Sequence, residues 1–563
     1  MEYVALILVF ILFIAFVLGK EIIEARNAEK RFKKSLYENY GVPFKKEISL
    51  ERFNHIVGYY KRHIPEGQID DITWNDLNMD DIFMRMNDTF SSAGEEYLYY
   101  TLRNNTKSNE ELEHLEQVIT FFENHPDERV AIQMLMRKLG TTGKFSLYDY
   151  LDNLELLGKR SNKKHILINL LFIPLFALAP FQLPACLCGL AILMSYNIAT
   201  YFKEKNEIEA YFISFVYIIR LINVCEEILR INIPACNAQW SDMKQSLSKV
   251  IGIRKGSSIV FKGASSITSG NPADIIMDYI RMTMHIDIIL FNRMLGKLRS
   301  HVEDIDSLIS NIGYVETAIA IGNFRHSLKE GYCIPEFVNE KKQDEEILII
   351  ENGYHPLIES PVKNSITTDK GVLLTGSNAS GKSTFLRMVA INAILAQTIH
   401  TCMADAYRAP LFAICSSMSL KDNLESGESY YIVEIKSLKR ILQSAKEEDR
   451  RVFCFVDEVL RGTNTVERIA ASTQILKSLA SEEYLCFAAT HDIELTQLLS
   501  EKYNNYHFEE EIVDGDILFP YKLMEGKATT RNAIKLLQIM GYEDTIIENA
   551  TGLAEHFVTF GTW

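Results

Sequence analysis

One stretch constrains this chain more than any other: Gly371-Val-Leu-Leu-Thr-Gly-Ser-Asn-Ala-Ser-Gly-Lys-Ser-Thr384. A short apolar strand, Val372–Thr375, is predicted to run into the pattern Gly376-x-x-x-x-Gly381-Lys382-Ser383 and then into a helix. The glycines let backbone N–H groups turn inward around phosphates, and the helix N-terminus adds its positive dipole end. Gly376, Ser377, Asn378, Ala379, Ser380, Gly381, Lys382, Ser383 and Thr384 are therefore the candidate nucleotide-binding residues. Within them, Lys382 is expected to reach the β- and γ-phosphates and Ser383 to ligate Mg²⁺. From Glu346 onward short apolar runs alternate with helical patterns, which predicts an α/β domain around this loop.

Three further segments fit such a domain. Arg451-Val-Phe-Cys-Phe-Val456 reads as a buried strand ending in Asp457-Glu458. Asp457 suits a Mg²⁺ carboxylate, and Glu458 is placed to polarise an attacking water. Ala488-Ala-Thr-His491 reads as another strand end, where His491 could sense a γ-phosphate. Ser426-Gly-Glu-Ser429 precedes a helix; it serves either as a cap or as a source of hydroxyl and N–H groups for a phosphate.

Two apolar runs point to a membrane. Tyr3 to Gly19 is uncharged, and its 17 residues would span roughly 25 Å as a helix. No basic segment precedes it and no small-x-small cleavage pattern follows, so an anchor is expected, with a cleaved leader as the alternative. Ile166 to Phe202 is a second uncharged run, 37 residues long, with Pro180, Gln182 and Pro184 at its middle. It reads as two short spans joined by a turn, or else as a buried helical pair. Lys20, Arg26, Lys30, Arg31, Lys33 and Lys34 follow the first run. Lys159, Arg160, Lys163 and Lys164 precede the second, and Lys203 and Lys205 follow it. Positive flanks stay inside, which predicts a multi-pass protein of the cell membrane with its N-terminus outside and its body cytoplasmic.

The remaining sequence fills in the plan. Residues 35–165 and 203–340 read as mostly helical, including one helix over 203–233 ended by Pro234. Gly256 to Gly270 reads as a Ser/Gly-rich loop with one short strand. The expected domains are an anchor with a basic flank (1–34), a first helical part (35–165), a membrane hairpin (166–202), a second helical part (203–340) and the ATPase-type domain (341–563). Nine scattered cysteines without a CxxC framework exclude a zinc ribbon and a disulfide scaffold. The formal net charge of −15 excludes indiscriminate coating of nucleic acid through bulk charge.

Taken in order, these motifs resemble the ATP-binding-cassette class and, within it, the MutS family of DNA mismatch repair ATPases. TGSNASGKST (375–384) resembles that family's TGPN-x-x-GKST, and GYHPLI (353–358) its His-Pro segment ahead of the loop. NLESGESYYIVEI (423–435), VDEVLRGTNTVE (456–467) and ATHDIEL (489–495) resemble its later motifs in the same order. FPYKLMEGKATTRNAIKLLQIMGYEDTIIENA (519–550) is similar to its C-terminal segment. MNDTFSSAGEEYLYYTL (86–102) and DIDSLISNIGYVETAIAIGNFR (304–325) resemble its helical core and lever.

The resemblance implies an α/β P-loop ATPase domain of the MutS type at the C-terminus, behind an all-α core and lever that carries the transmembrane helices. It implies ATP and Mg²⁺ as cofactors and a homodimer in which Ser429 acts on the partner's γ-phosphate. Ser383 and Asp457 would be the metal ligands, and Glu458, His491 and Lys382 the catalytic groups. The family's Phe-x-Glu wedge has no match, since Pro43-Phe-Lys-Lys-Glu47 has the wrong spacing, so a mismatch-reading domain is not expected. Two partners stay open beside the lipid bilayer: DNA, or a membrane protein to which the ATP cycle transmits force.

Overall fold

Alternation of side chains along five short strands sets the frame of the C-terminal region. In the strand Val452–Asp457, Phe453 and Phe455 point to one face of a sheet and Cys454 and Val456 to the other, and all four are buried. The computed structural model describes residues 19–20, 23–43, 46, 48–254, 279–338, 347–377, 380–418, 430–447, 449–460, 463–513, 516–528, 533–560 and 562. By their contacts the residues divide into two units: one of 1–64, 87–100 and 117–327, the other of 65–86, 101–116 and 328–563.

The first unit is helical. Its long members are Pro126–Leu139, Leu183–Ile228, Asn237–Val250, Ile286–Leu298 and Val302–His326. Val302–His326 is buried along most of its length, so even its polar positions must find partners. Glu316 does so: it accepts hydrogen bonds from the N–H groups of Phe90 (2.5 Å) and Ser91 (3.1 Å) and from the Ser91 hydroxyl. Those amides lead into the helix Ser92–Arg103, so the carboxyl caps its N-terminus. Burial nevertheless pushes the Glu316 carboxyl up to about 7.

The apolar run 166–202 forms a helical hairpin with a turn near Pro180, but its arms differ from two simple spans. The first arm is broken into Lys163–Leu170 and Phe172–Leu178. Pro174 explains the break, because its ring conflicts with the carbonyl four residues earlier, that of Leu170. The second arm does not stop at Phe202. It continues without interruption as the 46-residue helix Leu183–Ile228, so the expected separate helix over 203–233 is its second half. That helix ends ahead of Pro234, which begins a 3₁₀ turn at Pro234–Cys236. Within it, Leu183–Ile208 is the one stretch among the described residues long and apolar enough to cross a membrane. Ile173, Phe176, Phe181, Leu187 and Ile192 of the hairpin are exposed. The Tyr3–Gly19 run, apart from Gly19, and the Gly256–Gly270 loop lie outside the described residues.

The second unit is α/β. Its strands are β1 (Glu336–Phe337), β2 (Leu348–Gly353), β3 (Asn364–Thr368), β4 (Gly371–Thr375), β5 (Ala406–Ala409), β6 (Ala413–Ser417), β7 (Val452–Asp457), β8 (Tyr484–Ala489), β9 (Tyr503–His507), β10 (Glu511–Val513), β11 (Asp516–Leu518) and β12 (Met524–Glu525). The main sheet has the order β12-β9-β4-β8-β7-β6, parallel except for β12. A second sheet has the order β1-β5-β2-β3, and β10 and β11 form a hairpin. One face of the main sheet buries Leu373, Cys454, Val456, Cys486 and Ala488 against Leu438, Ile441 and Leu476. On the other face Phe412, Phe453, Phe455 and Phe487 pack ring to ring.

Residues 65–86 and 101–116, read from sequence within the first helical part, are built into this unit. The buried Asp76 carboxylate accepts from the Ser416 hydroxyl (2.7 Å) and the Met418 N–H (2.8 Å), satisfying the outer strand β6. Asn105 donates to the Phe412 carbonyl at 2.8 Å, and Gln397 donates to Asn105 at 2.6 Å.

Candidate functional site

Parallel strands bring their C-terminal ends to one edge, where α/β domains bind ligands. Here β4 lies between β9 and β8, so the chain crosses from one side of β4 to the other after β8. The loop after β4, the acids after β7 and the histidine after β8 are therefore delivered to the same edge.

The loop has the backbone its glycines make possible. Gly376 (φ 144°) and Gly381 (φ 109°) adopt positive φ. A Cβ on Gly376 would come within 2.6 Å of the Phe508 carbonyl oxygen. Gly381 begins the 18-residue helix Lys382–Ile399, whose first N–H groups face the loop. Lys382 is buried and folds back over the loop, donating to the carbonyls of Gly376 (2.8 Å) and Ser377 (2.7 Å). Ser383 donates its hydroxyl to Asp457, the last residue of β7. Asn378 and Ala379 lie outside the described residues, while Ser380 is buried beside them and Thr384 lines the cavity.

Glu458 leaves β7 with φ 60°, a left-handed conformation that a non-glycine residue adopts at a cost. Its N–H donates to the Ala489 carbonyl at 2.9 Å, which fixes the turn to the end of β8. This geometry places its carboxylate 2.9 Å from His491 Nε2. Ser429 and the segment before it lie outside the described residues, and the helix Tyr430–Ser444 follows.

Around these groups lies a cavity of 510 Å³ lined, among others, by Ser377, Lys382, Ser383, Glu458, Phe508 and Tyr521. Several residues in or beside it escaped the sequence reading. Glu510, buried, accepts a hydrogen bond from the Ser377 hydroxyl at 2.7 Å and so braces the loop. Phe508 packs on Phe385 with ring centroids 5.8 Å apart, and Tyr521 adopts φ 54° beside Gly381. His355 also lines the cavity, and its ring accepts from the Leu357 N–H at 3.3 Å. Burial, with the Arg387 charge adding to it, lowers His355 to about 4, so the ring is neutral at pH 7. His355 sits in the quoted GYHPLI motif and Tyr521 in the quoted C-terminal segment; Phe508 and Glu510 lie in a stretch with no recognisable spacing.

The donor set suits a nucleotide with Mg²⁺. Lys382, Ser383 and Glu458 line one cavity, and Asp457 and His491 stand against Ser383 and Glu458 respectively.

Comparison with known proteins agrees with this geometry. The MutS domain V family profile matches residues 372–558. Residues 372–558 thus match a MutS domain V. It is 31% identical over 232 residues to the DNA mismatch repair protein MutS of Thermus thermophilus, covering 40% of this chain and 27% of that protein. It is 26% identical over 301 residues to the protein of the same name from Lactobacillus delbrueckii, covering 51% of this chain and 34% of that one. The MutS of Lactobacillus acidophilus is 28% identical over 302 residues, with 51% and 34% covered. The chain thus spans about a third or less of the length of these curated relatives.

Proposed function

We propose that this protein is a Mg²⁺-dependent ATP hydrolase whose site is completed in a homodimer. The observation that carries the reading is the meeting of Lys382, the Ser383–Asp457 contact and the Glu458–His491 pair around one cavity. When bound, Mg²⁺ would neutralise charge on the phosphates; Ser383 and Asp457 would hold it. Lys382 would exchange its loop carbonyls for phosphate oxygens. Glu458 would accept the proton of the attacking water, and His491 would hold that carboxylate in place. Ser429 would reach the partner's nucleotide.

The test is ATP turnover by the purified full chain in detergent, with and without Mg²⁺. Turnover dependent on Mg²⁺ and lost in Glu458→Gln supports the reading; a chain that binds no ATP at millimolar concentration overturns it.

We further propose that the hairpin lies in the cell membrane, with the ATPase domain cytoplasmic and the N-terminus outside. The exposed apolar side chains of 166–202 and the basic flanks support this. Protease protection of terminal tags in intact cells tests it.

DNA is proposed as the partner because the relatives are named DNA mismatch repair proteins. Salt-sensitive anisotropy of a labelled duplex, with and without ATP, is the measurement; no binding in either state removes DNA. The exposed hairpin favours a second reading, in which the cycle acts on a membrane protein, and in-cell crosslinking that recovers such a protein rather than DNA would select it.

A further inference from the structure

Two cysteines stand directly opposite each other outside the nucleotide cavity. Cys333 and Cys402 form an isolated antiparallel bridge in the ATPase unit. The Cys333 N–H donates to the Cys402 carbonyl at 2.9 Å, and the Cys402 N–H returns the bond to Cys333 at 3.0 Å. A pair that exchanges both bonds has its Cα atoms about 5.5 Å apart, with both side chains on one face. That separation falls within the range that disulfides span.

We propose that Cys333 and Cys402 are a reversible redox-modification site, closed to a disulfide by a peroxide. The proposal goes beyond the nucleotide reading and does not depend on it.

Access and reactivity both favour this pair. Cys333 is partly exposed while Cys402 is buried beneath it. The neighbouring Cys402 side chain holds the Cys333 thiol below its ordinary range, which favours the reactive thiolate. Burial acts the other way elsewhere, pushing Cys236 and Cys415 up to about 12 and Cys454 well above the ordinary value. Cys415, Cys454 and Cys486 also stand side by side on β6, β7 and β8, but all three are buried in the core, where a polar oxidant has no route.

The chemistry balances without a metal or cofactor. The Cys333 thiolate attacks one peroxide oxygen; an S–O bond forms, the O–O bond breaks and the departing hydroxide leaves as water with the thiol's proton. Cys402 sulfur then attacks the sulfenic sulfur. The S–S bond forms, the S–O bond breaks, and a second water carries away the Cys402 proton. Two thiols are oxidised by two electrons and one hydrogen peroxide is reduced to two waters. The bond would tie the segment ahead of β1 to the turn after the helix Lys382–Ile399.

The test uses the full chain in detergent, treated with a few equivalents of hydrogen peroxide, blocked with N-ethylmaleimide and digested with trypsin. Cys333 and Cys402 are the sole cysteines of peptides 330–341 and 388–408. The expected product is these two peptides joined, lighter than their sum by two hydrogens and separated again by dithiothreitol. In Cys402→Ser the sulfenic acid on Cys333 should instead persist and be captured by dimedone. Recovery of both peptides alkylated in the treated protein would overturn the proposal, as would equal dimedone capture at Cys333 in both proteins.

Discussion

Glu458 and His491 meet at 2.9 Å because they follow neighbouring parallel strands, β7 and β8, at the same edge of the sheet. The Glu458 carboxylate is mostly buried, with 12% of its side chain exposed, while His491 is 36% exposed. In the proposed mechanism the inner group serves the water and the outer group positions it. Glu458→Gln is expected to lower ATP turnover by about 100-fold or more while leaving nucleotide binding intact. His491→Ala should cost less, about 10-fold, because the carboxylate remains. Single-turnover hydrolysis, with a fluorescent nucleotide to measure affinity, separates the two effects.

Lys382 holds two loop carbonyls from a buried position. Lys382→Ala removes both the loop tether and the charge that the proposed mechanism sets against the phosphates. At about 1.5–3 kcal/mol for a hydrogen bond to a charged group, nucleotide affinity should fall by about 10- to 100-fold. Equilibrium binding of the fluorescent nucleotide measures this directly.

The Ser377–Glu510 hydrogen bond steadies the loop without touching the reacting groups. Glu510→Ala should therefore raise KM by about 3- to 10-fold, from the loss of about 1 kcal/mol, with a smaller change in kcat. Glu510→Gln keeps an acceptor and should recover most of the loss. A steady-state comparison of the three proteins checks this.

Glu316 supplies a pH dependence in the helical unit. Its carboxyl is raised to about 7 by burial, against an ordinary 4.5, so the folded state holds a proton that the unfolded state releases. Its contribution is fully present below pH 4.5 and is lost as pH rises through 7. Glu316→Gln is neutral at every pH, and its amide oxygen can still accept from Phe90 and Ser91. Thermal unfolding should show the variant gaining stability over the native protein at pH 8 relative to pH 5, by no more than about 3 kcal/mol.

The apolar hairpin shows where sequence periodicity loses resolution. An uncharged run marks apolar length, and the two prolines at its middle mark a turn. Nothing between Phe202 and Lys203 interrupts hydrogen bonding, however, so the helix from Leu183 runs through the change of polarity to Ile228. Polarity records the surroundings of a helix and leaves its continuity to the backbone.

The sequence by itself determined the phosphate loop, the strand ends carrying Asp457, Glu458 and His491, and the apolar turn-forming hairpin. Each is local: contiguous residues set the φ values, the strand-to-turn transition or the hydropathy that makes it recognisable. Only the tertiary structure decided that Glu510 braces Ser377, that Phe508 and Tyr521 close the cavity, and that Asp76 and Asn105 are built into the ATPase unit. These contacts join residues far apart in the chain. They exist because buried carboxylates, amides and strand carbonyls must find hydrogen-bond partners once water is excluded, a requirement that acts on the packed fold and leaves no spacing in the sequence.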